Sequence, residues 1–163
     1  MPAPKKAKSA SRAKGRDDEI RLRVKISPRL HWVMHYLKKA KEMMPSLILP
    51  TQIRSFKPTK TRIMRVYANV YFETRIIVIA THTQQTYRTT KGRLKVKKIV
   101  PLSRPQILDT LAHELAHMSY PDHNYEHEEY TRTIFRTFGL TQRCPTCKGE
   151  GRVAIVSEPY ATS

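Results

Sequence analysis

The sequence predicts a small α+β domain over residues 19–140, and two kinds of periodicity carry that prediction. Three segments place apolar residues at helical spacing, namely residues 27–44, 103–118 and 125–138. Between the first and second of these, residues 61–82 are rich in Val, Ile, Tyr and Phe, which favours β-structure. A chain of 163 residues is long enough for one modest hydrophobic core, so we expect one domain with short appendages.

The chain begins with a basic segment of low complexity. Its first sixteen residues contain six Lys or Arg, no acidic residue and no apolar face. We therefore predict that residues 1–18 form a disordered tail. It would be a nuclear-localisation signal, a nonspecific DNA-binding arm or a plain solvated segment. No apolar run follows the basic residues as a secretory signal would require.

The first helix is expected to begin at Ser27, a good N-cap, with Pro28 in its first position, and to end at Pro45. His31 and His35 lie four residues apart on one helix face. That spacing suits a metal, but exposed helix histidines are far more common. The apolar face of the helix consists of Leu30, Val33, Met34, Leu37, Ala40 and Met44.

The β-rich part is expected to form an antiparallel or mixed sheet. Prolines 50 and 58 break the chain before it, and Ala68-Asn69 marks a possible bend. Residues 75–81 are mostly apolar, which predicts an interior strand. Residues 84–103 are polar and basic with Gly92 at a turn, so an exposed hairpin or loop that contacts phosphates is expected there.

Two further helices follow in the C-terminal half. Ser103 and Pro105 open a helix that runs to Met118, with apolar residues at helical spacing. The last helix covers residues 125–138, and Gly139 closes it.

The charge balance predicts a polyanionic partner. The net charge is +18, and without the first sixteen residues the chain still carries about +12. A body this positive attracts polyanions, of which nucleic acid is the commonest, although solubility or a ribosome-like setting would also account for the charge. The longest apolar run has five residues, against the ~20 of a bilayer helix, so we expect no membrane span and a cytoplasmic, nuclear or organellar location.

Residues 111–127, LAHELAHMSYPDHNYEH, hold four of the seven histidines. His113 and His117 form an HExxH motif, in which a helix projects both imidazoles from one face, and Glu114 lies beside them. A catalytic zinc needs a third protein ligand and an open position. The chain must turn before supplying that ligand, and His123 follows a suitable turn. A noncatalytic zinc site and a merely histidine-rich helix pair are the alternatives.

HELAHMSYPDH resembles the active-site motif of the SprT-like, WLM and YgjP-like zinc peptidases, and the likeness covers residues 99–138. It implies a zincin-like domain with one catalytic Zn²⁺ held by His113, His117 and His123, and with Glu114 as general base. The SprT-like and WLM families include proteases that act on DNA-bound or DNA-crosslinked proteins. Metzincins share the spacing, but they have glycine where this chain has Tyr120 and a methionine turn that it lacks.

One position departs from that family pattern. Four residues after His123, where the family usually has an aromatic residue, this chain has His127. His127 is then either a supporting group or a rival ligand, and we favour His123 as the third ligand. Side chains that would orient the ligand imidazoles, or simply face solvent, are Asp109, Asp122, Glu126 and Glu128. Tyr120 or Tyr125 would stabilise an oxyanion, or only pack.

The only two cysteines, Cys144 and Cys147, form a CPTCKGEG knuckle within residues 141–163. It resembles one half of a zinc ribbon, which SprT-like proteins often carry at the end of the chain. Because a full ribbon needs four ligands, four interpretations stay open. In the first the knuckle is metal-free, and in the second it shares a second zinc with another chain. In the third it completes a zinc site with His31, His35 or His82 as a further ligand, and in the fourth it acts in redox chemistry.

Together these features predict a zinc metallopeptidase that acts on protein substrates on or near nucleic acid. The main alternative is a noncatalytic nucleic-acid-binding protein with a structural zinc. A third is a small accessory factor of a larger assembly, such as one encoded by a phage. The oligomeric state is not predicted.

Overall fold

A computed structural model describes residues 22–140 of the chain. Within that range it contains three α-helices, one short 3-10 helix and two sheets, so the predicted α+β class is confirmed there. The predicted tail at residues 1–18 and the cysteine knuckle lie outside the described residues. The elements in chain order are β1 (Lys25–Ile26), a 3-10 helix (Pro28–Leu30), α1 (Val33–Met43), β2 (Gln52–Phe56), β3 (Ala68–Tyr71), β4 (Ile76–Ala80), β5 (His82–Arg88), β6 (Leu94–Pro101), α2 (Arg104–His117) and α3 (Tyr125–Thr137).

The larger sheet is mixed, with the strand order β1-β2-β4-β3. β2 is parallel to β1 and β4, whereas β3 is antiparallel to β4. β4 therefore has a strand on each side, and Ile77, Ile79 and Ala80 are buried, which confirms the interior strand predicted at residues 75–81. β3 lies at the edge of this sheet, so one side of its backbone is not paired with another strand of the sheet.

The sequence interpretation missed one strand of this sheet and was wrong about one bend. The stretch between Pro50 and Pro58 holds β2, whose five residues lack a clear alternating pattern and are held by pairing on both sides. Ala68 and Asn69 do not bend the chain, because they pair with Ile79 and Val78 inside β3. Pairing with β4 overrides the low β-propensity of Ala and Asn.

The first helix also begins later than predicted. Ser27 does not cap it, and its hydroxyl instead accepts a hydrogen bond of 3.1 Å from the backbone N–H of Ser55 in β2. A 3-10 turn follows, and α1 starts at Val33. Val33, Leu37 and Ala40 are fully buried, as their helical spacing predicts.

The helix that carries the HExxH motif has well-defined ends. Ser103 and Gln106 form a capping box, in which each side chain accepts from the backbone N–H of the other, at 3.4 Å and 2.8 Å. α2 packs against α3 on one side and against β3 and β4 on the other. Gly139 closes α3 with a φ of 76°, as predicted. The core between helices and sheet includes Leu30, Leu47, Ile53, Ile107, Leu108, Leu111, Leu115, Ile134 and Phe135.

Strands β5 and β6 form a separate two-stranded hairpin, as residues 84–103 predicted. Gly92 takes a φ of 72° in its turn, and the hydroxyl of Thr89 accepts from the N–H of Arg93. No helix among residues 22–140 has the length and apolar character that crossing a membrane requires.

Candidate metal centre and adjoining groove

Four histidines from two helices and the turn between them form one group, the histidine cluster: His113, His117, His123 and His127. α2 supplies the first two, one turn apart. The chain leaves α2, places His123 in the turn, and supplies His127 from the first turn of α3. The six distances between ring centroids lie between 4.1 and 5.1 Å.

Two Nε2–Nε2 distances in the cluster are close to those of imidazoles that share a metal ion. The Nε2 of His113 lies 3.2 Å from that of His117 and 3.0 Å from that of His123. Two imidazoles on a tetrahedral zinc, with Zn–N bonds of ~2.0–2.1 Å, hold their nitrogens about 3.3 Å apart. The ligand atoms of His113, His117 and His127 all lie within 4.8 Å of one another. These three histidines are close enough to hold one metal ion.

The backbone fixes the ring of His117. Its Nδ1 lies 3.3 Å from the carbonyl oxygen of Tyr120, so Nδ1–H donates there and Nε2 keeps its lone pair for the cluster. A second ring nitrogen anchored to a carbonyl is usual for metal-binding histidines.

His127 is the most deeply buried member, with 2% of its surface exposed. Its backbone N–H donates to Oδ1 of Asn124, the N-cap of α3, at 2.9 Å. Its ring makes a hydrogen bond to the backbone of His113. Its Nε2 is buried and has no hydrogen-bond partner among the described residues. A buried nitrogen without a partner costs folding free energy, so the burial of this Nε2 favours a metal ion at the cluster.

The cluster favours neutral imidazoles. Burial, followed by the neighbouring His127, His117 and His123, lowers the pKa of His113 to about 4. Burial is also the main cause that lowers the pKa of His117 and of His127. Metal binding needs the unprotonated ring, so these shifts favour the form that coordinates.

Glu114 lies between the two helical histidines in sequence and is only 8% exposed. Burial raises the pKa of its carboxyl group to about 7. A carboxyl group with a pKa near neutrality can both take up and release a proton under physiological conditions.

A groove of about 580 Å³ runs past Glu114 and three members of the histidine cluster. One wall comes from α2 and includes Glu114, and the other comes from the edge strand β3 and the residues around it. His127 does not line the groove, whereas the other three members of the cluster do. The lining residues are Val66, Tyr67, Ala68, Asn69, Val70, Phe72, Asp109, Thr110, His113, Glu114, His117, Pro121 and His123.

The proposed supporting residues differ in where they lie. Asp109 is half-buried and lines the groove. Asp122 and Glu126 are exposed, and Glu128 forms an ion pair with Arg132 on α3. None of these last three carboxylates makes a recorded hydrogen bond to the cluster within residues 22–140.

Neither tyrosine predicted to stabilise an oxyanion lines the groove. The Tyr120 ring packs edge-on against Tyr130 at 5.2 Å, and Tyr125 is 74% exposed. Tyr120 contributes its backbone carbonyl to His117 instead. The groove contains Tyr67, whose hydroxyl is hydrogen-bonded to that of Thr83 at 2.9 Å.

The other histidines lie apart from the cluster. His31 and His35 are exposed, and His82 is hydrogen-bonded to the Thr81 hydroxyl at 2.9 Å. Cys144 and Cys147 lie outside the described residues, so whether they borrow one of these rings stays a prediction.

The sequence interpretation missed the second wall of the groove. Residues 66–72 carry exposed apolar groups, among them Val66, Tyr67, Tyr71 and Phe72, each about half exposed. Their exposure is visible only once β3 is placed at the sheet edge, so the sequence held no direct signal for them.

No family model, no curated protein and no solved structure matches this chain.

Proposed function

We propose that this chain is a zinc-dependent peptidase organised like the SprT-like, WLM and YgjP-like enzymes. The observation that carries the proposal is the position of Glu114 in the groove wall, with a carboxyl pKa raised to about 7, beside a set of imidazoles spaced for one metal ion. A buried carboxyl group is costly to maintain, and here it lies in the same groove wall as His113 and His117.

A zinc ion bound by the cluster would polarise a peptide carbonyl and lower the pKa of water. Glu114 would take a proton from the attacking water through its carboxylate. It would then give that proton to the nitrogen of the leaving amine, so the carboxylate is regenerated. The pKa near 7 suits both transfers, because neither the protonated nor the ionised form is strongly preferred.

The opposite wall suits an extended peptide. β3 is an edge strand, and its exposed side carries backbone groups that β4 does not pair. A peptide could add to such an edge through backbone hydrogen bonds. The exposed side chains of Val66, Tyr67 and Phe72 would then contact apolar substrate side chains. This arrangement favours a protein substrate over a small molecule.

The test is a comparison of Glu114→Gln with Glu126→Gln, a matched change at an exposed carboxylate on α3. Glu114→Gln should keep zinc at one equivalent in the histidine cluster and lose about 10²–10⁴-fold in cleavage of an unstructured protein such as casein. Glu126→Gln should cleave like the parent chain. Equal cleavage by the parent and by Glu114→Gln would refute the mechanism.

We further propose that the peptidase works on or near nucleic acid through a basic surface. This surface consists of exposed cations on the β5–β6 hairpin and on the loop between β2 and β3. No acidic residue occurs between Thr74 and Leu108. Its members are Lys57, Lys60, Arg62, Arg65, Arg88, Lys91, Arg93, Lys95, Lys97 and Lys98.

The basic surface adjoins the groove. Gln84 of β5 donates to the carbonyl oxygens of Thr59 and Arg62 and accepts from the N–H of Met64, so it ties the loop to the hairpin. The same loop continues into Val66, which lines the groove. A nucleic acid bound to the basic surface would therefore bring its attached proteins close to the groove.

Salt dependence tests this second proposal. Replacing Lys95, Lys97 and Lys98 by Gln should reduce the slope of log K against log salt by about 2.7 if each contacts a phosphate of duplex DNA. The control replaces Lys25, Lys39 and Arg136 by Gln, which removes the same charge outside the hairpin. Equal slopes for the two triple variants would show that the hairpin is not the contact surface.

A noncatalytic nucleic-acid-binding protein with a structural metal is the second candidate. The presence of a fourth imidazole favours it, because four protein ligands are typical of structural zinc sites. Under this alternative Glu114→Gln changes neither cleavage, which is absent, nor metal content.

A further inference from the structure

The four members of the histidine cluster are not held equally. The rings of His117 and His127 each have a backbone hydrogen bond, and both residues are buried. His113 is half-buried within α2. His123 is exposed, lies in the turn between the helices, and lines the groove.

His123 also lacks the second anchor that the rings of His117 and His127 have. Its recorded hydrogen bond within residues 22–140 joins its Nε2 to the Nε2 of His113 at 3.0 Å. A metal-bound histidine usually donates its other ring N–H to the protein, which fixes its orientation. An exposed imidazole without that anchor can rotate away from the cluster at small cost.

His127 shows the opposite combination. Its ring is enclosed, its backbone is fixed by the N-cap of α3, and its Nε2 is buried without a partner. His127 also belongs, with His113 and His117, to the set of three residues whose ligand atoms all lie within 4.8 Å of one another. A buried acceptor with no partner is the atom that gains most from a bound cation.

We infer that His113, His117 and the buried His127 are the permanent ligands of the metal ion, and that His123 is an exchangeable ligand which closes the site toward the groove. This inference rests on the proposed function, since it assigns the ligands of the metal ion that the peptidase would use. With His123 bound, four imidazoles hold the metal. When His123 rotates out, a position opens on the groove side, where a substrate carbonyl or water would enter. The choice of permanent ligand differs from the HExxH–His123 set that the motif alone predicts.

The exchange would lower the apparent affinity for any ligand that enters from the groove. If His123 occupies its position most of the time, that affinity falls in proportion to the fraction of molecules in the open form. Removing the imidazole of His123 should therefore strengthen the binding of a small anion to the metal, whereas removing that of His127 should weaken the binding of the metal itself.

The experiment uses the full chain carrying Cys144→Ser and Cys147→Ser, which eliminates Co²⁺ signals from the cysteine pair. Metal-free protein is titrated with Co²⁺. Relative to the parent, the Co²⁺ affinity of His127→Phe should fall by more than about 100-fold, and that of His123→Ala by less than about tenfold. Loss of a residue that only supports a ligand usually costs about 10–100-fold. His35→Gln, an exposed histidine outside the cluster, is the matched control and should bind like the parent.

A second variant at the same position gives a positive signal, so the test does not depend on the correct folding of His127→Phe. In the same background, His127→Cys should show a thiolate-to-cobalt charge-transfer band, which requires sulfur on the metal. Absence of the band, in protein whose far-ultraviolet circular dichroism matches the parent, would rule out His127 as a ligand. Loss of Co²⁺ binding in His123→Ala would equally overturn the inference, because His123 would then be indispensable.

Azide titration of the Co²⁺ forms tests the exchange. The visible spectrum of His123→Ala should respond to azide at a concentration lower by about tenfold or more than that of the parent. Equal azide affinity would show that His123 does not cover the site. These measurements need no turnover, so a protein that gives the expected spectra but cleaves no peptide contradicts only the proposed function. Peptide cleavage with unchanged metal binding in His127→Phe contradicts only the present inference.

Discussion

The histidine cluster and the β5–β6 hairpin are built in opposite ways. The cluster brings side chains from two helices and a turn within 5.1 Å of one another, and the buried residues of α2 and α3 support it. The hairpin forms its own two-stranded sheet and carries exposed cations at the end of β5, in the turn and along β6. A metal site depends on fixed geometry, whereas attraction of a polyanion depends mainly on the number and density of charges.

This difference predicts how each region tolerates change. Substitutions beneath the cluster should act cooperatively, because its rings share one core and one ion. Substitutions on the hairpin should act almost independently and mainly on binding. The expected effects are largest in the core beneath the cluster and smallest at two local hydrogen bonds.

Leu111 and Leu94 provide the strongest contrast. Leu111 is fully buried in α2, two residues before His113, and Leu94 is 44% exposed at the start of β6. Leu111→Ala should lower the free energy of unfolding by about 2–5 kcal/mol, because it leaves a cavity in the core. Leu94→Ala should change it by no more than about 0.5 kcal/mol. Urea denaturation of both variants measures the pair, and similar losses would mean that the hairpin is also packed.

Acid should destabilise the metal-free protein through the cluster. The pKa values of His113, His117 and His127 lie below the 6.5 of an unperturbed imidazole, so the unfolded chain binds more protons than the folded one as the pH falls below 6.5. Stability is then lost progressively, for His113 down to about pH 4. In Glu114→Gln, which lacks the opposing carboxyl group, the urea midpoint of metal-free protein should therefore be lower at about pH 5.5 than at about pH 7.5.

Glu114 opposes this trend and supplies the control. Its pKa is raised from 4.5 to about 7, so between these values the folded chain binds the extra proton and gains stability as the pH falls. Glu114→Gln removes that gain, so the parent chain should lose less stability than Glu114→Gln over the same pH range. A flat midpoint across this pH range in both proteins would contradict the shifts in the cluster.

The smallest expected effects concern two local side-chain hydrogen bonds, one at a helix cap and one in a turn. Ser103 forms the capping box of α2, and Ser103→Ala should cost about 1 kcal/mol of stability. Thr89 accepts a hydrogen bond from Arg93 in the exposed hairpin turn, and Thr89→Ala should cost about 0.5 kcal/mol or less. Thermal unfolding measures both. Equal losses would indicate that the hairpin contributes to global stability as much as α2 does.

The helices α2 and α3 were the most predictable part of the fold. Ser103, Pro105 and the apolar spacing located α2 to within a residue, and Gly139 marked the end of α3. These signals are local, since they act through the backbone of the same segment. β2 and the role of Ser27 were missed because each depends on a partner that is distant in sequence, β4 for the strand and Ser55 for the hydroxyl.

The candidate site divides in the same way. His113 and His117 must share a face because they are four residues apart on a helix, and the motif also placed Glu114 beside them. The approach of both His123 and His127 to that pair depends on the turn at Pro121 and on the packing of α3 against α2. The sequence supplied four imidazoles but could not rank the last two.

By itself, the sequence determined the helical elements, the excess of positive charge and the HExxH pair, because these follow from spacing and composition within short segments. Tertiary structure decided that β3 forms the second wall of the groove, that His127 is buried with an unpartnered Nε2, and that His123 remains exposed. Burial and the distances between side chains from different elements are set by packing, which no single segment encodes.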